Sequence, residues 1–340
     1  GNTRELEKRT RVRARVIAQA LRELIFESSN IFIMGHKNPD MDSLGASIGL
    51  WSSIRQLGKN CNIIIDNDIT AIDYYMTKLK KDDKYDNLFI SSEEAEKNIN
   101  DKTLLIIVDV HNKGYVNNLD IVERINRKII IDHHRRSPDI IEGALLNYIE
   151  VYASSTSEMV TELIQYMLQK PRIPKIIAEG LLGGIFMDTK GFQFKSGVRT
   201  FDAAAFLRSL GADTIEVKKM FTDSLDDYLF ISDTIRNAEV HENLAIAVCP
   251  SDVNNTVIVA RAADELLGIS GIDVCFVLCN INDSIIISGR STGEVNVQVI
   301  LEELGGGGHM NMAGAKLECT IDEAVNLLKE AINKHLEIKE

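Results

Sequence analysis

Four short runs of aliphatic and β-branched residues punctuate the first half of the chain, at 31–35, 62–65, 104–108 and 128–131. Each breaks off into polar residues. Within a run the apolar positions are continuous rather than alternating, the pattern of a strand buried on both faces. Between the runs lie segments with helical spacing, such as SLGASIGLWSSIRQLG and VNNLDIVERIN. Strand and helix alternating in this way predict a parallel sheet covered by helices on both sides. From about residue 154 to 210 the pattern turns helical (SSTSEMVTELIQYML, IAEGLLGGIFMDTKGF), and 214–238 is rich in charge without strand pattern. Beyond it come a strand at 244–248, a helix at 260–267, two strands about an Asn-Asp turn in DVCFVLCNINDSIIISGRS, and a helix, VNVQVILEEL, that runs into GGGGHMNMAGA. The expected fold class is α/β. A lead-in helix (1–29) precedes a parallel-sheet domain (30–213), and a connector (214–238) leads to a smaller mixed α/β domain (239–340).

The polar residues that end the strands carry the candidate chemistry. Three runs read IFIMGH followed by KNPDMD, LLIIVDVH, and KIIIDHH. Groups at the carboxyl ends of parallel strands converge on one crevice, the usual ligand position in open α/β sheets. In GHKNPDMDSLGA, His36, Asp40 and Asp42 are spaced by four and two in a loop that contains Pro39. That spacing lets one histidine and one carboxylate reach one ion, while the other carboxylate reaches a second ion on the opposite side. Asp109 ends a very apolar strand, where an unpaired charge would be prohibitively costly. Asp132, His133 and His134 end the next strand, and Asp188 follows an apolar helical stretch in GIFMDTKGF. Taken singly, each has an ordinary reading as a loop histidine, a helix cap or a hydrogen-bond acceptor. As a set they point to a metal site, because five of the seven histidines lie in these motifs and the glycine-rich segment. His241 and His335 read as surface residues. A mixed imidazole and carboxylate set suits divalent ions such as Mn²⁺.

Composition narrows the partners. The 340 residues are 45% hydrophobic and carry a net charge of −12. The length suggests two domains, at roughly 150 residues each. Non-specific nucleic-acid affinity comes from neutralising many phosphates at once, so this surface argues against long nucleic acid and leaves a short nucleotide compatible. Arg9, Arg11, Arg13 and Arg15 read as a solvated helix face or a lead-in from an upstream domain, and Gly1 in place of Met as the start of a fragment. The five cysteines form no CxxC pair and are expected to be reduced and buried, with Cys275 and Cys279 on one face of a strand. No apolar run approaches the roughly 20 residues that span a bilayer, and no signal peptide is visible.

The motifs GHKNPDMDSLGA, VDVH, IDHH and ASSTSEMV, with the distal GGGGHMNMAGA, in this order resemble the DHH–DHHA1 phosphoesterase superfamily. Within it the chain is most similar to the catalytic region of the membrane-anchored bacterial cyclic-di-AMP phosphodiesterases, over about residue 11 to the end. The resemblance implies two divalent ions, usually manganese. His36 and Asp40 would hold the first, Asp42, His133 and Asp188 the second, with Asp109 bridging both. Asp132 would orient the neighbouring histidine, and His134 would sit beside the scissile phosphate. Gly306, Gly307, Gly308 and His309 match the family's GGGH element. Arg290 in SGRS, which by chemistry alone is equally a surface ion pair, becomes the expected phosphate contact, with Arg135 and Arg136 as further candidates. The implied reaction is hydrolysis of cyclic-di-AMP to linear pApA. The implied setting is a cytoplasmic homodimer tethered to the membrane by segments absent from this chain. The same scaffold also supports oligoribonuclease or phosphoadenosine-phosphate phosphatase activity, and a non-hydrolysing cyclic-dinucleotide sensor is the reading from another class. No residue in the sequence reads adenine over guanine.

Overall fold

The computed structural model describes residues 2–66, 72–136, 138–222, 224–250 and 256–335. The chain divides into two compact units, Gly1–Thr222 and Asp223–Glu340. The division falls inside the charge-rich segment 214–238.

The first unit holds six strands, β1 (Ile31–Met34), β2 (Cys61–Ile64), β3 (Phe89–Ile90), β4 (Leu104–Val108), β5 (Arg127–Asp132) and β6 (Leu146–Ile149). They form one all-parallel sheet in the order β3-β2-β1-β4-β5-β6. Its helices are α1 (Asn2–Glu27), α2 (Met41–Gln56), α3 (Asp73–Leu79), α4 (Ser92–Glu96), α5 (Leu119–Arg124), α6 (Thr156–Met167), α7 (Lys175–Asp188), α8 (Val198–Ser209) and α9 (Thr214–Lys219). The continuous apolar strands serve two cores. Ile31, Ile33, Leu104, Ile106, Val108, Ile129 and Ile131 pack among the helices α1, α2, α6 and α7. Phe32, Met34, Leu105, Ile107 and Ile130 pack on the other face with α4 and α5. The sheet is thus covered on both faces, as the pattern predicts. The edge strands β3 and β6 went undetected in the sequence because they are only partly buried and lack a continuous apolar run.

The second unit contains α10 (Leu225–Arg236), β7 (Glu239–His241), β8 (Leu244–Val248), α11 (Thr256–Leu267), β9 (Val274–Ile281), β10 (Ser284–Ser291), α12 (Val297–Glu302), β11 (Gly307–His309), β12 (Met312–Leu317) and α13 (Ile321–His335). Its sheet runs β11-β12-β10-β9-β8-β7, parallel between β8 and β9 and antiparallel elsewhere. The Asn-Asp turn joins β9 to β10 with positive φ at both Asn282 (49°) and Asp283 (61°), the requirement of a tight two-residue hairpin. Cys275 and Cys279 lie on the same face of β9, buried against α11. One expectation is corrected here: Cys249 and Cys279 are joined as a disulfide, with Cα atoms 5.0 Å apart. The register of parallel neighbours, Val248 opposite Leu278, brings the two together across 30 residues of sequence, which no CxxC spacing could signal. Cys61, Cys275 and Cys319 are free thiols. No helix among the described residues is long and apolar enough to cross a membrane.

Glycines bring the helices over the first sheet into direct backbone contact. A Cβ on Gly45 of α2 would lie 2.4 Å from the carbonyl oxygen of Gly180 in α7. A Cβ on Gly184 would meet Ser157 Oγ at 2.2 Å and Asp42 Oδ1 at 2.8 Å. Backbone cannot yield as a flexible side chain can, so Gly45→Ala is expected to destabilise the first unit by about 1–3 kcal/mol, the range of overpacked cores. Urea unfolding checks it, and an unchanged midpoint would show that α2 and α7 are not held this close.

Candidate metal centre

The strand order reverses between β1 and β4, and at such a switch point the loops after the two strands diverge to leave a crevice. His36 follows β1. Asp40 caps α2, its Oδ1 accepting from the backbone amides of Asp42 and Ser43 at 3.0 Å each. Asp42 sits in the first turn of α2, buried, and its two carboxylate oxygens accept from the amides of Thr156 (2.7 Å) and Ser157 (2.8 Å). Those are the first residues of α6, so the positive end of that helix faces the carboxylate. Asp109 ends β4 with φ of 61°, and its Oδ1 accepts from Thr156 Oγ1 at 2.9 Å. Asp132 ends β5, and Asp188 is the last residue of α7. The ASSTSEMV motif therefore has a visible role, in that its Thr156 and Ser157 hold two of the candidate ligands.

Six of the sequence candidates come together in two clusters. His36 Nε2 lies 3.5 Å from Asp40 Oδ1 and 3.4 Å from Asp109 Oδ2. His133 Nε2 lies 3.0 Å from Asp188 Oδ2, 3.5 Å from Asp109 Oδ1 and 3.8 Å from Asp42 Oδ2. Asp109 thus turns one oxygen to each cluster. His36, Asp40 and Asp109 offer three donor atoms within 4.8 Å of one another, as do Asp42, His133 and Asp188. His133 Nε2 is buried and makes no hydrogen bond, despite three carboxylates around it. An imidazole nitrogen surrounded by oxygens but bonded to none is the donor arrangement of a metal site, and both clusters have the chemistry of divalent-ion ligands.

The electrostatics agree. Burial, then the neighbouring Asp188 and Asp40 charges, lift Asp42 to about 7. Burial and the Asp42, Asp40 and Asp188 charges push Asp109 well above the usual carboxylate range. Burial by itself would lower His133, but Asp188, Asp42 and Asp132 outweigh it and raise it to about 9. Like charges this close cannot all ionise unless cations neutralise them.

One participant escaped the sequence reading. His111, the last residue of VDVH, is buried and its Nδ1 contacts Asp132 Oδ2. The other oxygen of Asp132 accepts from the backbone amide of His134 (3.1 Å) and pairs with His134 Nδ1 (2.8 Å). Although burial opposes ionisation, the His111 and His134 contacts hold Asp132 well below its ordinary value. Asp132 thus steadies His134 rather than His133, with His111 bracing it from behind. The strand end adjoining Asp109 was the only available signal for His111. His134 itself is 57% exposed and lies 3.7 Å from Asp109 Oδ1, while Arg135 and Arg136 are exposed.

The substrate-binding candidates lie in the second unit. Arg290 is buried, not a surface pair: Nε donates to Asp264 Oδ1 (2.9 Å), and Nη1 to Ser288 Oγ and the Gly289 carbonyl (3.0 Å each). Gly306 lies in the connection after α12, and Gly307, Gly308 and His309 form the strand β11, paired with β12. A Cβ on Gly306 would lie 2.2 Å from the Gly314 carbonyl, and one on Gly308 2.4 Å from that of Met312. These two glycines are required by the protein's own backbone, whereas Gly307 faces open space.

The chain is similar to known proteins over nearly its whole length. Residues 30–185 match the DHH family, N-terminal domain, and residues 241–336 match the DHHA1 domain. The cyclic-di-AMP phosphodiesterase GdpP of Bacillus subtilis (strain 168) is 44% identical over 345 residues, covering 99% of this chain and 52% of that protein. The cyclic-di-AMP phosphodiesterase PdeA of Listeria monocytogenes serotype 1/2a is 41% identical over 342 residues, covering 98% and 52%. The chain thus spans about half the length of these relatives. The crystal structure of an exopolyphosphatase-related protein from Bacteroides fragilis superposes with a TM-score of 0.80 at 23% identity, over 94% of this chain and 96% of that one.

The shifted groups set a pH dependence for the metal-free chain. Folded Asp42 keeps its proton up to about 7, whereas an unfolded aspartate loses it near pH ~4. Folded His133 keeps its proton up to about 9, against about 6.5 when unfolded. Both folded values are raised, so the stability these two groups contribute is lost as pH rises, first through the Asp42 window and then through that of His133, whereas the depressed Asp132 and Asp40 act in the opposite sense only at acid pH, below the unfolded carboxylate range. Urea unfolding in excess chelator is expected to show this fall, and Asp42→Asn to flatten its lower part. A midpoint that rises between about 7 and about 9, the folded values of the two groups, would refute it.

Proposed function

The chain belongs to the DHH family, with a DHHA1 domain following, and from that premise we propose that it hydrolyses cyclic-di-AMP to linear pApA with two divalent ions, manganese foremost. The observation that carries the two-ion reading is the carboxylate of Asp109, which turns Oδ2 to His36 and Oδ1 to His133. His36, Asp40 and Asp109 would hold one ion, and Asp42, His133, Asp188 and Asp109 the other. The ions, when bound, supply Lewis acidity at the phosphate and a nucleophilic water near neutral pH.

The protein's own residues supply the rest. The amides of Thr156 and Ser157 fix the Asp42 carboxylate, and Thr156 Oγ1 fixes Asp109. Preorganised ligands need no rearrangement as charge develops in the transition state. Asp132 engages Nδ1 of His134 and so directs Nε2 away from the buried carboxylates. From there Nε2 can hold a proton against a phosphate oxygen or hand it to the departing 3′ oxygen. Substrate identity is supported by the Bacillus subtilis and Listeria monocytogenes relatives, both above 40% identity and each named a cyclic-di-AMP phosphodiesterase. In the second domain the open side of Gly307 is a point where backbone can approach the ligand.

Rates on cyclic-di-AMP, cyclic-di-GMP, pApA and phosphoadenosine phosphate, titrated with Mn²⁺ and Mg²⁺, test the proposal. Cyclic-di-AMP is expected to turn over fastest. Much faster turnover of the linear nucleotides would replace this reading with an oligoribonuclease or phosphatase, and tight binding without product would make the chain a sensor. Asp109→Asn is expected to abolish both turnover and calorimetric Mn²⁺ binding, and full activity in that variant would sink the two-ion assignment. His111→Ala should lower kcat by roughly ten-fold or more, the scale for partners behind a site residue, with Mn²⁺ affinity nearly unchanged. His111→Asn, whose amide nitrogen can replace Nδ1, should recover most of it. Equal losses in the two variants would leave His111 a packing residue only.

A further inference from the structure

Among the described residues, seven other than glycine have positive φ. Glu242, Asn282 and Asp283 turn hairpins, where that geometry is ordinary. The other four are Asp109 itself and three residues of one loop, Lys190 (47°), Phe192 (67°) and Lys195 (50°), with Gly191 at 70° among them. The loop begins right after Asp188. Thr189 winds it tightly: its carbonyl accepts from the amides of Gln193 and Phe194 at 2.9 Å each, and its hydroxyl accepts from that of Phe192 at 2.9 Å. A phenylalanine in this region of φ is a true outlier, and such strain persists where the surroundings over-determine it, typically beside ligands.

The strain maintains an array of aromatic rings. Phe186 of α7 stacks on Phe221 (5.3 Å, 22°) and meets the edge of Phe192 (6.2 Å, 83°). Phe192 in turn stacks on Phe201 of α8 (5.7 Å, 22°). The inner end of the array packs against the core. The outer end stays in solvent, with Phe194 57%, Phe201 55% and Val198 53% exposed. The Lys190 ammonium lies 5.6 Å above the Phe194 ring. An aromatic stack that includes a ring of the loop right after Asp188 and is left open at its Phe201 end offers a nucleotide base a surface on which to extend it.

We propose that the outer face of Phe201, with Val198 three residues before it on α8, is a stacking platform for one nucleobase of the substrate. This rests on the cyclic-dinucleotide reading above and adds a base-binding element in the metal-bearing unit. Stacking is tolerant of base identity, so the platform contributes affinity rather than a choice of adenine.

The test uses the full chain with Mn²⁺ and the variants Phe201→Ala, Phe201→Leu and Phe201→Trp. The KM for cyclic-di-AMP is expected to rise roughly ten-fold in the Ala and Leu variants, the scale of one lost base stack, with kcat held and Trp restoring KM. Methyl 4-nitrophenyl phosphate, which carries no base, should be cleaved equally by all four proteins. A cyclic dinucleotide carrying 2-aminopurine should be quenched on binding to the wild type and to Trp, but not to Ala or Leu. Unchanged KM and quenching in Phe201→Ala would overturn the platform. So would a Phe201→Ala chain that changes from dimer to monomer with KM intact, which would make the patch an interface between copies. If the wild type leaves cyclic-di-AMP intact yet quenches the 2-aminopurine probe through Phe201, the substrate reading fails and the platform stands.

Discussion

Like-charge repulsion in a nearly dry crevice is the constraint around which the first unit is organised. Asp42 and Asp109 are buried, with Asp40 and Asp188 beside them. A fold can tolerate such a cluster only by surrounding it with positive partners that do not move. Backbone amides at the starts of α2 and α6 serve this purpose without adding a competing side-chain charge. Two histidines face the carboxylates from the strand ends. What these leave uncompensated is the demand for cations, so the same repulsion that weakens the empty fold is the source of its affinity for metal.

That constraint reaches into the helix packing. For the amides of Thr156 and Ser157 to meet Asp42, α6 must start against the first turn of α2. The absence of a side chain at Gly184 allows this, since a Cβ there would occupy the space of Ser157 Oγ and Asp42 Oδ1. Gly45 and Gly180 extend the same close contact along α2 and α7, whose last residue is Asp188. The helix that delivers one ligand and the helix that fixes another are therefore placed by the same small residues. Ligand geometry and core stability are two readings of one packing arrangement.

The parallel sheet was legible because strands buried on both faces must be apolar at nearly every position, and 104–108 and 129–131 are continuous apolar runs. Of the six residues that gather around the crevice, His36, Asp109 and His133 were legible because polar groups after such strands have one place to go, and Asp40, Asp42 and Asp188 because they lie in polar segments beside apolar helices. His111 was not, since a histidine two positions past Asp109 has no spacing that separates a brace from a ligand. Thr156 and Ser157 act largely through backbone amides, which carry no mark in the side-chain code. The Cys249–Cys279 pairing depends on sheet register across 30 residues, again invisible to local spacing.

In the second domain the motif residues also have structural partners of their own. Four consecutive glycines suggest a cradle for a ligand, yet two of them are explained fully by the approach of β11 to β12. Arg290 suggests a phosphate contact, yet its guanidinium is bonded to Asp264, Ser288 and Gly289. Glycine permits close approach by whatever lies nearest, and here that is the chain itself at two positions of the motif. Gly305 and Gly307, with open space beside them, and the exposed aromatic residues after Asp188 are surfaces that the fold leaves open.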